Sequence, residues 1–193
     1  MEPAPLSLER LCIHQVTLMQ CDFRSSIECF ARHGVRKTAV WRDKLEAIGA
    51  DEAARILNDN GVEAVSFCPG GLLTAADPAK ALDDNRRWIE MAATVGAKSM
   101  VTITGGLETG DRDLGGARLR ALEGIGKLVP DARAAGLRLA LEPLHPMICG
   151  LRSVISTLAD ANAILDRLQA DDVMGLALDT YALWWDSELE RQM

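Results

Sequence analysis

The sequence predicts an α/β fold with a parallel sheet, specifically a (β/α)8 barrel of which about six βα units are present. Three observations predict it. A helix-like stretch, a glycine and a short β-prone run recur as ARHG-VRKTAV, LNDNG-VEAVSF, ATVG-AKSMVTI and ARAAG-LRLALE. Those β-prone runs are short and largely apolar, as strands covered on both faces are. No G-x-G-x-x-G or Walker loop follows an early strand, which a doubly wound nucleotide-binding fold would want.

The first strand is read at LERLCIHQ. Gly34, Gly61, Gly96 and Gly136 each suit a helix C-terminus, where a left-handed residue is easiest for glycine. A strand follows each of them. A sixth strand, DVMGLALD, comes without the glycine. Helical patterns fill the gaps at residues 51–60, 79–95, 116–135 and 157–168, with Leu119, Leu122, Ile125 and Leu128 three apart in the third of these. Strands alternating with helices mean a parallel sheet. Glycine pairs occur at Gly70-Gly71 and Gly105-Gly106, but pairs alone say little. A closed barrel needs eight strands and typically about 250 residues. The chain has 193 and ends on SELERQM, which reads as a helix just starting. The expectation is a single domain over residues 1–193 with the seventh and eighth strands missing.

The totals exclude several function classes. Acidic residues outnumber basic ones by 28 to 21, a net charge of −7. No basic cluster stands out, so nucleic acid is not the expected partner. The five cysteines include no C-x-x-C pair, which argues against a disulfide framework or a structural zinc and for a reducing, cytoplasmic setting. The start MEPAPLSLERLCIHQ does not read as a signal peptide. No run approaches the roughly 18 apolar residues of a membrane span.

The chemistry is expected at the strand ends. Glu142 closes the fifth strand and Asp179 the sixth. Adjacent strands lie about 4.8 Å apart, so two carboxylates there repel unless a cation sits between them. A divalent metal ion would use both as oxygen ligands. The alternative is that both cap the following loops or pair with arginine. His145 stands between Pro143 and Pro146, which fix the backbone around it. It is read as binding a substrate hydroxyl or holding Glu142, or else as serving its loop only. Trp41 and Arg42 follow the second strand, and Trp184 and Trp185 the sixth. An indole face suits a sugar and Arg suits a carboxylate or phosphate; otherwise these side chains pack loops onto the barrel. Gly70, in the third-strand loop, is a further substrate-binding candidate. Cys68 beside it, His14 on the first strand and His33 at a helix end are read as structural.

WRDKLEAIG, FCPGGLLTAAD, DNRRWIEMAATVGA, LALEPLHPM, RSVISTLADANAILD and LDTYALWWD occur in an order that resembles the sugar phosphate isomerase/epimerase proteins. These have the xylose isomerase-like TIM barrel, in a superfamily that also holds AP endonuclease family 2 and endonuclease IV. The resemblance runs from about residue 8 to the C-terminus. It implies a divalent metal, Mn, Mg, Co or Zn, on four side chains, two of which would be Glu142 and Asp179. The other two would lie beyond Met193. It implies a small-molecule sugar or sugar phosphate as partner, and a reaction that moves a proton next to a carbonyl, with Glu142 as one of the acid–base pair. Three departures stand out. Ala182 replaces the usual histidine of D-x-x-H, Pro69 replaces the arginine of C-R-G-G, and half of the metal shell is lacking. A non-catalytic sugar- or polyol-binding barrel is therefore the alternative reading, and an endonuclease a third. An open sheet edge invites pairing between copies as a homo-oligomer.

Overall fold

The computed structural model describes residues 8–193. The expectation that the chain starts without a leader falls partly on residues 1–7, outside those described. Six strands form one all-parallel sheet in the order β1 (Ile13–His14), β2 (Lys37–Trp41), β3 (Glu63–Gly71), β4 (Ser99–Ile103), β5 (Arg138–Leu141) and β6 (Met174–Leu176). Each strand pairs with the next in sequence, so the edges are β1 and β6. The helices are α1 (Phe23–Arg32), α2 (Arg42–Ile48), α3 (Ala50–Asn60), α4 (Ala79–Thr94), α5 (Leu114–Ala134), α6 (Leu158–Leu168), α7 (Thr180–Leu183) and α8 (Leu189–Gln192). Among the described residues, no helix is long and apolar enough to cross a membrane.

Alternation along the strands decides what each face carries. Val40, Phe67, Met100, Leu139, Leu141 and Met174 are buried in one core with Phe30, Leu45, Ile56, Ile89, Ile125 and Leu128 of the helices. The residues between them, Trp41, Cys68, Val101, Ala140 and Glu142, are only half-buried. They line the opposite, concave face, and its C-terminal rim is the mouth.

The glycine punctuation is fulfilled. Gly34, Gly61, Gly96 and Gly136 all have positive φ, and at the last helix before a strand Gln169 takes the left-handed position instead, at φ 46°. Helix starts follow capping. Asp22 accepts from Ser25 N to open α1, Asp113 from Gly116 N to open α5, and Thr157 from Asp160 N to open α6. The Asp113 cap carries α5 two residues further toward the N-terminus than the apolar spacing suggests.

The first strand is shorter than LERLCIHQ predicts. Only Ile13–His14 pairs, between a 3-10 turn at Leu8–Arg10 and another at Gln15–Leu18. His14 takes its own neighbours as partners. Its Nδ1 accepts from Val16 N at 3.1 Å and its carbonyl accepts from Thr17 Oγ1 at 2.6 Å. Such local bonds compete with the ladder, and an edge strand has one neighbour to hold it.

Candidate active site

Glu142 stands one residue past β5, yet its N–H still donates to Thr102 O at 3.0 Å and extends the ladder. Behind it Pro143 and Leu144 are buried, so the carboxylate is fixed from both sides. Burial pushes its pKa up to about 7; the Asp179 charge adds to this and Arg152 opposes it. No hydrogen-bond donor among the described residues reaches the carboxylate. A half-buried carboxyl group held near neutrality by its surroundings is a candidate for acid–base chemistry.

Asp179, read from sequence as closing the sixth strand, lies three residues past the end of β6, directly before α7. Its Oδ1 accepts from Tyr181 N at 2.9 Å and so caps α7, which is the loop-capping role considered from sequence. The same side chain acts on Glu142 through space. The two acids therefore belong to one electrostatic unit. Their oxygens are the donors a hard divalent cation takes, and their repulsion is what it would relieve. Among the described residues, no group of three or more His, Cys, Asp or Glu side chains gathers around any point. Carboxylate oxygens are the donor type a hard divalent cation takes, and no third such donor joins these two among the described residues.

His145 belongs to the loop after β5. Its Nδ1 accepts from Met147 N at 3.2 Å and caps a 3-10 turn at Pro146–Ile148. An accepting Nδ1 places the proton of the neutral ring on Nε2. The ring lies 6.1 Å from those of both Tyr181 and Trp185, so the β5 and β6 loops meet through it. Trp185 donates to Ala182 O at 2.7 Å. Trp184 is 73% exposed and Tyr181 77%. Ala182 is buried with Leu158 and Leu183.

On the other side, the Trp41 ring sits 5.6 Å from that of His14. Burial lowers the His14 pKa, and the Lys44 charge lowers it further. Gln15, fully buried, accepts from Trp41 N at 3.0 Å and donates to Ser26. The Trp41 indole N–H is buried and has no partner among the described residues. Arg42 lies 4.6 Å over the Trp88 ring and pairs with Asp43 at 3.0 Å. It is held among helices instead of reaching across the mouth. Gly70 is buried against Met100, where a Cβ would sit 2.6 Å from the sulfur; packing alone accounts for glycine there. Burial, with Glu142 adding to it, pushes the Cys68 thiol up to about 12. Cys68 is therefore a thiol, as its lack of a neighbouring base implied. His33 caps the end of α1.

Sequence reasoning missed two groups. Asn85 of α4 is fully buried and bonds both Gly71 N and Gly71 O at 2.7 Å. Nothing in the pattern around it distinguishes it from a surface residue of an amphipathic helix. Arg152 did leave a signal: it is the only charged residue between His145 and Asp160.

Residues 25–193 match the family model of the xylose isomerase-like TIM barrel. The protein SMc04130 from Sinorhizobium meliloti 1021 is 40% identical, with a TM-score of 0.91 over 96% of this chain and 68% of that one. AP endonuclease, family 2 from Brucella melitensis is 17% identical, with a TM-score of 0.78 over 93% of this chain and 72% of its own. The D-psicose 3-epimerase from Clostridium cellulolyticum H10, with D-tagatose, is 18% identical, with a TM-score of 0.76 over 91% of this chain and 66% of its own. At these lower identities the likeness is of fold. No curated protein matches the sequence.

Proposed function

Because this chain belongs to the xylose isomerase-like TIM-barrel family, we propose that its mouth moves a proton on the carbon next to the carbonyl of a sugar or sugar derivative. Glu142 is the acid–base group. The observation that carries this is the Glu142 carboxyl, pushed up to about 7 by burial and by Asp179. At neutral pH such a group takes a proton from carbon in one direction and returns it in the other, which is the match an acid–base catalyst needs. Epimerases among the structural neighbours, D-psicose 3-epimerase and 3-keto-D-glucoside 4-epimerase, support this choice of chemistry.

Glu142 and Asp179 would hold a divalent cation, which when bound makes the carbon acid easier to ionise by drawing charge from the substrate oxygens. Around it the chain's own groups bind and orient. His145 offers Nε2–H to a hydroxyl, and Trp184 and Tyr181 offer ring faces to the apolar side of a sugar. Trp41 adds a further face on the β2 side. Arg42 is the weakest member of the proposed substrate set, because Asp43 and Trp88 already engage it. Gly70 contributes as backbone only.

The test is deuterium exchange. A panel of ketoses and aldoses in D2O with Mn2+ is expected to lose a C–H signal next to the carbonyl, and Glu142→Gln to abolish that exchange. Exchange that persists in Glu142→Gln overturns the assignment. A second reading, a barrel that binds a sugar or polyol without turning it over, is favoured by the absence of a third ligand among the described residues. Binding without exchange would select it. The fold likeness to AP endonuclease, family 2 leaves endonuclease activity as a third reading, which the net charge of −7 disfavours.

A further inference from the structure

We propose that the substrate of this mouth carries an apolar substituent, aryl or alkyl, and that Leu72, Met147 and Leu151 receive it. The proposal rests on the reading above, that the mouth takes a sugar-like carbonyl compound, and adds which derivative of such a sugar fits.

Leu72 stands directly after β3 with φ at +64° and is 38% exposed. That is left-handed backbone, where the Cβ of an L residue crowds the following carbonyl and only glycine, with some asparagine and aspartate, is at home. Gly70 and Gly71 precede it, and a third glycine would make the same turn without strain. A leucine kept at such a position, with its side chain partly in solvent, points to a use for that side chain.

The base under it is firm. Leu72 N donates to Ile103 O at 2.9 Å. A Cβ on Gly105 would stand 3.0 Å from Leu72 Cα, and one on Gly106 would stand 2.3 Å from Leu151 O. The second glycine pair of the sequence therefore lets the loops after β3 and β5 close against the loop after β4. Thr74 Oγ1 donates to Gly106 O at 2.6 Å, and Leu107 N to Gly150 O at 2.7 Å, which ties the three loops together. Leu151 is 78% exposed and Met147, on the same loop, 83%. Met147 N donates to His145 Nδ1 at 3.2 Å, and the His145 ring lies 6.1 Å from that of Tyr181. A row of exposed apolar groups thus runs from the β3 loop to the ring proposed above as a face for the sugar.

Open sheet edges do not account for this row. Leu72 follows β3 and the other two follow β5, and each of these strands has a neighbour on both sides. Large apolar groups that share an exposed surface mark a place where something binds. What binds is set by the neighbours. Leu72 comes shortly after Cys68, and Met147 shortly after Glu142, both half-buried on the concave face. The two strands lie two spacings apart, about 10 Å, so a molecule with its reacting carbon at Glu142 reaches the row with whatever it carries at its far end. The floor is acidic and the row apolar. The molecule that fits is polar where it reacts and apolar at that end.

The experiment is calorimetric titration of the full chain, with Mn2+, against D-fructose, its O3- and O6-methyl ethers and the two matching benzyl ethers. Wild type is compared with Leu72→Asn, Met147→Ser, Leu151→Ser and the triple variant, with melting curves to verify folding. Asparagine suits left-handed backbone and the two serines replace exposed side chains, so the variants are expected to fold; Leu72→Gly is a second way to remove that side chain. Wild type is expected to bind one benzyl ether about tenfold more tightly than its methyl partner. Each single variant should lower that preference, the triple variant should erase it, and D-fructose binding should stay within about twofold throughout. Equal binding of benzyl and methyl ethers by wild type, or a benzyl preference that survives the triple variant, overturns the proposal and leaves the sugar reading intact. Failure of every ketose to bind overturns both.

Discussion

On the β3–β4 side of the mouth the buried polar groups are tied to backbone. Asn85 bonds Gly71 N, Gly71 O and Ala81 O, each at 2.7 Å. Thr104 and Ser153 bond each other and, between them, Val154 N and Ile155 O. On the β5–β6 side Asp179, His145 and Trp185 also have partners, and among the described residues Glu142 stands apart. Glu142 accepts no hydrogen bond, is pushed up to about 7 and is opposed by Asp179. The difference separates two uses of buried polarity. One side spends it on fixing loops, because satisfied networks specify a single arrangement. The other leaves one carboxyl in surroundings that disfavour its charge, which is how a group comes to hold its proton near neutral pH.

That comparison breaks most sharply at Asn85. Asn85→Leu keeps the volume and strands the Gly71 N–H and C=O in a buried site. The expected loss is about 3 kcal/mol, since each buried orphan costs roughly 1–3 kcal/mol. Urea unfolding reads it directly. Gly71→Ala attacks the same joint from the other side, where φ is +92° and a Cβ would sit 1.9 Å from Ile103 O, and should cost at least as much. If both variants unfold within about 1 kcal/mol of wild type, the β3–β4 loops are not the rigid side and the contrast fails.

Glu142 tests the other side with the opposite sign. Its folded pKa of about 7 lies above the roughly 4.3 of an unfolded chain. Between those values the folded protein holds a proton that the unfolded chain has released. Stability is therefore fully present below about pH 4 and declines as pH rises through the window to about 7. With chelator present, Glu142→Gln should remove that decline and be more stable than wild type at about pH 8, by on the order of 2 kcal/mol. Urea midpoints at both ends of the window measure it. A wild type whose stability rises across the window would mean that Glu142 is satisfied after all.

The sequence made the outer face of the sheet easy to read and the mouth harder. Apolar runs that follow Gly34, Gly61, Gly96 and Gly136 carry both helix-end and strand information in adjacent residues. Glu142 was legible because a carboxylate after Leu139, Ala140 and Leu141 contradicts its own run. Asn85 and Thr104 were not, because their partners lie far away in sequence and any polar residue of an amphipathic helix or strand end looks the same beforehand. The short β1 was misread for a related reason. LERLCIHQ has strand composition, but local bonds from His14 and an edge position outweigh composition. Arg42 shows the limit for charges. Sequence placed Arg42 at the rim, where adjacency to Trp41 suggested it. Trp88, which holds it in place 4.6 Å away, is an indole from a different helix.

The smallest expected effect sharpens the comparison at the border of the two sides. Family resemblance wants an imidazole at position 182, three residues after Asp179. Ala182 is only 2% exposed and packs with Leu158 and Leu183, and its carbonyl accepts the Trp185 N–H. Ala182→His would have to enter an apolar contact already filled, which typically costs about 1–3 kcal/mol. With α7 only four residues long, part of that cost is expected to be relieved by its shifting, leaving about 1 kcal/mol. On the neighbouring loop, the His145 ring lies 6.1 Å from those of Tyr181 and Trp185, so an imidazole stands near α7 by another route. Ala182→His should therefore lower the melting temperature slightly and add no sugar exchange. A variant that gains exchange while keeping its stability would show that α7 turns position 182 toward the mouth, and that the β5–β6 side is looser than its packing implies.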